Sequence, residues 1–398
     1  MSPRAAIDAS ILGSSRHMIY DGEYSWSDSI PRDAWHLSGR SKPSRCLDTL
    51  LRIDHLQLPS PPSSHVTAMT QVMSGSTASV PWRHVLPTRD YRKFFKNTVE
   101  IITSNLEELS YCYYESTWGA GSRLLASLRG SKVDLPAWTA LSEAGGISGL
   151  ESFKPGRTGY AAVPAYDRFA TRTGRLTITS GPNLLILRKD ARSILRSAFP
   201  DGVICSLDFR ALEARIVLAE TGQAAPDGDM YDSISGDLFD GEVDRSIVKT
   251  AVLGELYGAG RASLAARLRV PDDKLDAFVS RIRGHFGIEE LADRLRKQLN
   301  AEGKVRSRFG RPHLVDDDAR DAILVNTFAQ STGVDVSLQG FDTILQGLGP
   351  DGIRPLFILH DAIILDVRGD RITDVQGCTS VSVPTYEHQF PLKYDQII

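Results

Sequence analysis

The sequence predicts a mixed helix-and-strand protein of α+β class, on three observations. Two short apolar runs, each carrying an aspartate, stand at 203–209 and 356–365. Segments with apolar residues at helical spacing precede them and lie between them. The 398 residues, 41% hydrophobic and 24% charged, have globular proportions. They suffice for two or three lobes, or one elaborated α/β unit, around a sizeable core. No apolar run reaches the ~18 residues of a membrane span. Met1 to Ser15 lacks the basic-then-apolar order of a secretory leader. A cytoplasmic location without membrane contact is therefore expected. Cys46, Cys112, Cys205 and Cys378 are far apart and form no Cys-x-x-Cys pair. This argues against a zinc ribbon and for reduced thiols.

Taken in order, residues 1–88 differ from the rest. Pro59-Ser60-Pro61-Pro62-Ser63-Ser64 has linker composition, and no sustained helical period precedes it. From Arg89 to about Tyr114 a helix is expected, because Phe94, Phe95, Val99, Ile102, Leu106 and Leu109 recur at spacings of three and four. A second helix is expected over Ser122–Leu128, with a turn near Pro136. The two fit a duplex-gripping pair and a plain helical hairpin equally well. Val203–Phe209 reads as a buried strand with Asp208 near its carboxyl end, followed by a helix over Leu212–Glu220. In Leu356–Leu365, Asp361 interrupts an apolar hairpin, a placement that costs several kcal/mol unless the charge is paired or bound to a metal.

Between these strands lies a helix over Asp244–Tyr257. Arg245, Lys249, Leu253 and Tyr257 follow at intervals of four and so share one slowly drifting face, and Gly258 and Gly260 end it. The row suits a ligand with phosphates at one end and a flat ring at the other. An incidental basic edge on a surface helix fits it too. Net charge is −3, but residues 1–200 carry 24 Lys/Arg against 17 Asp/Glu and residues 201–398 carry 22 against 32. Lys154 to Arg196 holds nine basic residues and two acidic ones. Such a stretch can neutralise phosphates, or form an ordinary solvated face.

Four of these segments, in order, resemble family A DNA polymerases. The strand motif is Asp208-Phe209-Arg210-Ala211-Leu212-Glu213, and the helix motif is Arg245, Lys249, Tyr257 and Gly258. His360-Asp361 matches a His-Asp-Glu hairpin with Ala362 in the last place. Thr173-Gly174-Arg175-Leu176 with Pro182-Asn183 is the fourth. Weaker echoes are Asp229-Met230-Tyr231, Phe309-Gly310-Arg311-Pro312, and Asn326 with Gln330. The matches run from about Tyr166 to the C-terminus.

The resemblance implies a right hand: a helical thumb at 89–160, helical fingers at 216–320, and an antiparallel-sheet palm from 161–215 and 321–398. Residues 1–88 are left without a role. It implies two Mg2+ ions held by Asp208, Asp361 and the Phe209 carbonyl, since two divalent ions serve the attacking and leaving oxygens of an in-line displacement. Arg245 and Lys249 would bind the triphosphate of a dNTP, with Lys249 protonating the leaving pyrophosphate. Tyr257 would sit by the nascent base pair beside Leu253, and Glu213 would block a ribose 2′-hydroxyl. Arg175, Asn183, Asn326, Gln330 and His360 would contact primer-template DNA. For Asn183 and Gln330 a capping or loop hydrogen bond is the competing account.

Leu253 stands where the family has Phe or Tyr, and Ala362 removes a carboxylate, so accuracy and speed are the features these departures touch. Asp21-Gly22-Glu23 has the form of an exonuclease motif, but too few residues follow it for an exonuclease domain. Proofreading, if the system has it, is expected from another chain, among other replication proteins, and the shortness suggests a phage or mobile-element enzyme. Two rival readings remain: a single-subunit RNA polymerase, and a catalytically weakened relative that binds DNA or serves as an accessory protein.

Overall fold

A computed structural model describes residues 5–21, 23–31, 34–37, 57–72, 81–108, 117–168, 170–268, 272–313 and 315–398. Cys46, Cys112, Gly22 and Leu109 to Tyr114 lie outside the described residues. The chain forms two compact units, Met1–Glu115 and Ser116–Ile398. The division thus falls inside the 89–160 segment and not at residue 88.

In the first unit, β1 (Ala5–Ile7), β2 (His17–Tyr20), β3 (Tyr24–Ser27) and β4 (Trp35–Leu37) form a sheet in the order β3-β2-β1-β4. Only β1–β4 is parallel among its pairs. A short helix, α1 (Ala9–Leu12), is capped by Asp8, whose carboxylate accepts the Ser10 N–H. The linker reading of 59–64 holds as far as Pro62, because α2 (Ser63–Val72) begins at Ser63. The expected long helix is α3 (Thr88–Glu108). Its aromatic side belongs with the residues before it: Phe95 stacks on Trp26 at 5.5 Å, and the Tyr91 hydroxyl donates to the Leu12 carbonyl at 3.2 Å. These contacts carry it across the expected boundary.

The second unit opens with α4 (Gly119–Ser127), β5 (Lys132–Val133) and α5 (Leu135–Ala144). Pro136 lies inside the first turn of a helix and makes no turn of its own. Asp134 caps that helix by accepting the Ala137 N–H, and proline's missing donor is harmless at this position. Then come β6 (Ala165–Asp167), β7 (Thr177–Ser180), β8 (Leu195–Arg196), β9 (Val203–Phe209) and α6 (Leu212–Glu220). Next are five helices, α7 (Met230–Phe239), α8 (Arg245–Leu256), α9 (Arg261–Leu268), α10 (Asp272–Phe286) and α11 (Ile288–Glu302). After β10 (Val305–Arg306) and β11 (Pro312–His313) runs the long helix α12 (Asp321–Leu348). The chain closes with β12 (Ile353–Leu359), β13 (Ala362–Val367), α13 (Ile372–Gln376), β14 (Ser380–Ser382) and β15 (Gln389–Gln396).

The central sheet is fully antiparallel, in the order β12-β13-β9-β15-β14. Strand alternation puts Ile204, Ser206 and Asp208 on one face and Cys205, Leu207 and Phe209 on the other. On the first face, Ile204 and Ile364 join a core of Trp138, Phe153, Leu184, Ile194 and Phe357. On the second, the Phe209 ring lies 5.1 Å from Phe341 of α12 and 6.3 Å from Phe390. At this crossing α12 carries Gly340, where a Cβ would lie 2.8 Å from Phe209 Cζ and 3.1 Å from Val381 Cγ1. Gly340→Ala is therefore expected to destabilise by about 1–3 kcal/mol through overpacking. Urea denaturation measures this, and an unchanged midpoint would show that the crossing is loose.

Glu220, at the end of α6, ties the helical region to the sheet. Its side chain is only 4% exposed, and it accepts from Arg294 of α11 and from the Tyr386 hydroxyl, each at 3.0 Å. Among the described residues no helix is long and apolar enough to cross a membrane. Cys205 and Cys378 are free thiols, Cys205 buried.

Candidate active site

One cleft of about 610 Å³ collects residues from widely separated parts of the chain. Asp208 reaches it from the end of β9 and Asp361 from the β12–β13 turn. The register fixes their proximity: Ala362 pairs with Asp208, and the Phe209 N–H donates to the Asp361 carbonyl at 3.0 Å. Asp361 therefore sits in the turn, one residue before the strand. Both bends beside the carboxylates place a non-glycine residue in the left-handed region, Ala211 at φ 51° and His360 at φ 56°. Side chains adopt that conformation at a cost of about 1–2 kcal/mol, and such strain gathers at functional sites.

Burial, then the facing Asp361 and Asp395, push the Asp208 carboxyl up to about 6, against the opposing pull of Lys393 and Lys249. Asp361 is raised as well, by burial and then by Glu213. Two half-buried carboxylates, each raised by burial and by a neighbouring acid, form a hard, oxygen-rich donor pair short of positive charge. That fits a divalent cation such as Mg2+. Among the described residues no group of three or more His, Cys, Asp or Glu side chains is placed to hold a metal. The candidate set is therefore this pair, with the Phe209 carbonyl beside it.

The face of α8 lines the cleft with Arg245, Lys249 and Leu253, and Tyr257 caps the helix end. Asp244 starts the helix by accepting the Ser246 N–H. Arg245 and Lys249 both lie over the Tyr231 ring, at 5.5 and 5.9 Å from its centre. The Arg245 fork is engaged: its Nε and Nη2 donate to the two oxygens of Asp229 at 3.0 and 2.6 Å, and the same carboxylate caps α7. The pair engages the Nε and Nη2 side of the fork and leaves the guanidinium further N–H donors with which to meet an anion. Burial, with Glu213 alongside, raises the Tyr231 phenol to about 12, so it stays a neutral ring beneath the two cations.

Glu213, in the first turn of α6, is held from two sides. Its Oε1 accepts from the Tyr257 hydroxyl at 3.0 Å and from Arg175 Nη2 at 3.2 Å. Arg175 also lies over the Tyr257 ring, 5.8 Å from its centre. The fourth motif and one of the weaker echoes meet here. Gly174 has φ 80°, and a Cβ on it would lie 2.0 Å from Arg311 Nη1, so Thr173-Gly174-Arg175-Leu176 rests against Phe309-Gly310-Arg311-Pro312. Thr173 donates to Gln330 Oε1 at 3.1 Å.

Gln330 and His360 line the cleft with Arg175, whereas Asn183 and Asn326 lie outside its lining. The Asn183 side chain accepts the Leu185 N–H at 3.0 Å, a local turn bond. Asn326 is half-buried on α12, one turn before Gln330. The Lys154–Arg196 stretch is not a continuous basic strip. Lys154 pairs with Glu151, Arg188 with Asp190 and Arg196 with Asp134, while Arg168 is buried and donates to the Thr117 and Trp118 carbonyls. Of the basic residues in this stretch, Arg175 is the one that lines the cleft. Among the charged lining residues, Lys393 gave no sequence signal. Lys393 of β15 pairs in register with Asp208.

A sheet-borne carboxylate pair and the cations of one helix thus line a single cleft. Residues 151–395 match the family model for DNA polymerase family A, and the chain belongs to that family. It is 25% identical over 236 residues to DNA polymerase I of Chloroflexus aurantiacus, covering 52% of this chain and 25% of that one. It is also 25% identical over 254 residues to the thermostable DNA polymerase I of Thermus filiformis, covering 57% and 30%. The chain thus spans only about a quarter to a third of the length of these curated relatives. In fold it resembles the POL domain of Pol1 from M. smegmatis, solved with DNA primer-template and dNTP. The TM-score is 0.59 at 13% identity, covering 99% of this chain and 94% of that one.

Proposed function

We propose that the chain is a template-directed DNA polymerase, adding deoxynucleotides to a primer 3′ end. The observation that carries this reading is the convergence of Asp208 and Asp361 with Arg245, Lys249, Glu213 and Tyr257 in one cleft. Asp208 and Asp361, with the Phe209 carbonyl, would hold two Mg2+ ions. When bound, these would acidify the primer 3′-hydroxyl and offset charge on the pyrophosphate.

The protein's own groups do the remainder. Arg245 and Lys249 bind the triphosphate, and Lys249 supplies a proton to the departing pyrophosphate oxygen. Tyr231 holds both cations over its ring. Leu253 offers the sugar and base an apolar contact without a flat face, and Tyr257 stacks near the nascent pair. Arg175, Gln330 and His360 meet the primer-template at the cleft, and Asn183 and Asn326 meet it farther along the duplex.

Glu213 is the sugar gate. Tyr257 and Arg175 fix its carboxylate, so a ribose 2′-hydroxyl would be pressed against an immobile group. Primer extension with Mg2+ is the test, comparing deoxynucleotides with ribonucleotides in the wild type and in Glu213→Ala. The wild type is expected to prefer deoxynucleotides, and the variant to lose up to about a hundredfold of that preference, the scale on which a pocket rejects one added hydroxyl. Preference for ribonucleotides in the wild type would make the chain an RNA polymerase. Binding of primer-template without extension would make it a silent relative.

A further inference from the structure

Asp208 has two cross-strand neighbours, Ala362 on β13 and Lys393 on β15. Directly opposed residues of an antiparallel ladder present their side chains on one face, with Cβ atoms about 5 Å apart. Lys393 therefore shares the face of Asp208, and it lines the same cleft. Its ammonium lies 2.8 Å from Asp395, two residues along the same strand and so on the same face. The lysine side chain remains 55% exposed and the aspartate 47%. An ion pair so open to solvent is weak and exchanges readily for another anion.

The other cleft cations have different stations. Arg245 and Lys249 come from α8, Arg175 is held at Glu213, and Arg210 Nε donates to the Leu392 carbonyl at 3.3 Å. Lys393 alone among the cleft's basic residues projects from the middle of a sheet strand. The following step rests on the polymerase reading above. There, divalent cations cover Asp208 and Asp361, while Arg245 and Lys249 take the triphosphate. An ammonium beside that covered pair needs an anion of its own. The remaining anion that must come up to Asp208 is the phosphodiester backbone leading to the primer 3′ end.

We propose that Lys393 is a primer-strand ligand, exchanging Asp395 for a phosphodiester among the last few linkages of the primer and so setting the 3′ end against Asp208. The contact is to phosphate and independent of sequence, so it acts on position and affinity without favouring any base. It also gives a physical role to a charge pattern that has a lysine on one side of Asp208 and only the Ala362 methyl on the other.

The test is equilibrium binding of the full chain to primer-template without nucleotide, across a range of salt concentrations, for wild type, Lys393→Met and Lys393→Arg. Losing one phosphate contact is expected to make the slope of log K against log salt shallower by about 0.9. Lys393→Arg should keep the wild-type slope. A neutral methylphosphonate placed at each of the last primer linkages in turn should, at one position, bring the wild type down to the Lys393→Met value and leave that variant unaffected. An unchanged slope in Lys393→Met would overturn the proposal, as would an equal loss in wild type and variant at every methylphosphonate position. A raised KM for deoxynucleotide with an unchanged slope would assign Lys393 to the triphosphate instead. Failure of the polymerase reading is distinguishable, because it appears as absence of primer extension by the wild type.

Discussion

Asp208→Asn is expected to lower the rate of primer extension by on the order of 10³-fold while leaving the fold intact. A divalent ion contributes several kcal/mol of charge stabilisation in phosphoryl transfer, and each 1.36 kcal/mol is tenfold in rate. Asparagine keeps the shape and removes the charge that holds the ion. The same substitution should raise stability slightly in metal-free protein. The Asp208 carboxyl is raised to about 6 from its ordinary 3.8, so the native state binds the proton more tightly than the unfolded chain. The ionised aspartate thus withdraws stability as pH rises from about 4 to about 6, and the deficit is complete above that. Discounted for the group's partial exposure, the gain in Asp208→Asn is about 1 kcal/mol at pH 7.5 and vanishes near pH 4. Magnesium should reverse the order by stabilising the wild type through binding and the variant hardly at all. Extension by the wild type should also fall below about pH 6, where protons compete for the site. Primer extension across pH reads the rates, and thermal unfolding with and without chelator, at two pH values, reads the stabilities. Equal stabilisation of both proteins by magnesium would place the metal elsewhere.

The parts legible in the sequence are those whose signal is local. The strand Val203–Phe209 and the helix Leu212–Glu220 match their apolar patterns, and the α8 face follows from intervals of four. The hairpin was legible as an apolar run broken by one charge, although Asp361 proved to lie in its turn. What escaped depends on distant residues. The strands of the first unit are three or four residues long, too short for periodicity to register, so 1–88 had no visible sheet and α3 no visible partner. The basic stretch 154–196 could be read as a phosphate surface or a solvated face. Partners such as Asp134 for Arg196 and Glu213 for Arg175 stand up to 62 residues away in sequence, where no local pattern shows them. Lys393 was invisible because Phe390-Pro391-Leu392-Lys393-Tyr394-Asp395 shows only a weakly alternating strand. Nothing local says that it pairs with β9, or in which register.

Gly174→Ala is expected to destabilise the protein by about 3 kcal/mol and to weaken the site out of proportion to that loss. Two effects add. An L residue at φ 80° pays about 1–2 kcal/mol for the left-handed conformation. The new methyl would also stand 2.0 Å from Arg311 Nη1 and 2.6 Å from its Cζ. An exposed guanidinium would swing aside, but Arg311 is 5% exposed and its Nη2 donates to the Arg168 carbonyl at 3.1 Å. Nearby, Asp335 is fully buried, accepts from the Ser307 hydroxyl at 3.0 Å and has Arg311 as its strongest favourable charge. Moving Arg311 therefore disturbs a buried charge group, and the easier response is for residues 173–175 to shift instead. That shift carries Arg175 away from Glu213 Oε1 and Tyr257, and Thr173 away from Gln330. Glu213 then keeps only the Tyr257 hydroxyl. The expected result is a lower unfolding midpoint together with weaker primer-template binding and poorer rejection of ribonucleotides, even at temperatures where the variant is fully folded. Comparing Gly174→Ala/Arg311→Ala with Arg311→Ala alone separates the two effects, because both lack the guanidinium that Asp335 faces and they differ only in the backbone strain at 174. If the double variant shows the full loss of sugar selectivity relative to Arg311→Ala, the backbone conformation at 174 sets the gate; if the two are equally selective, close packing against Arg311 sets it.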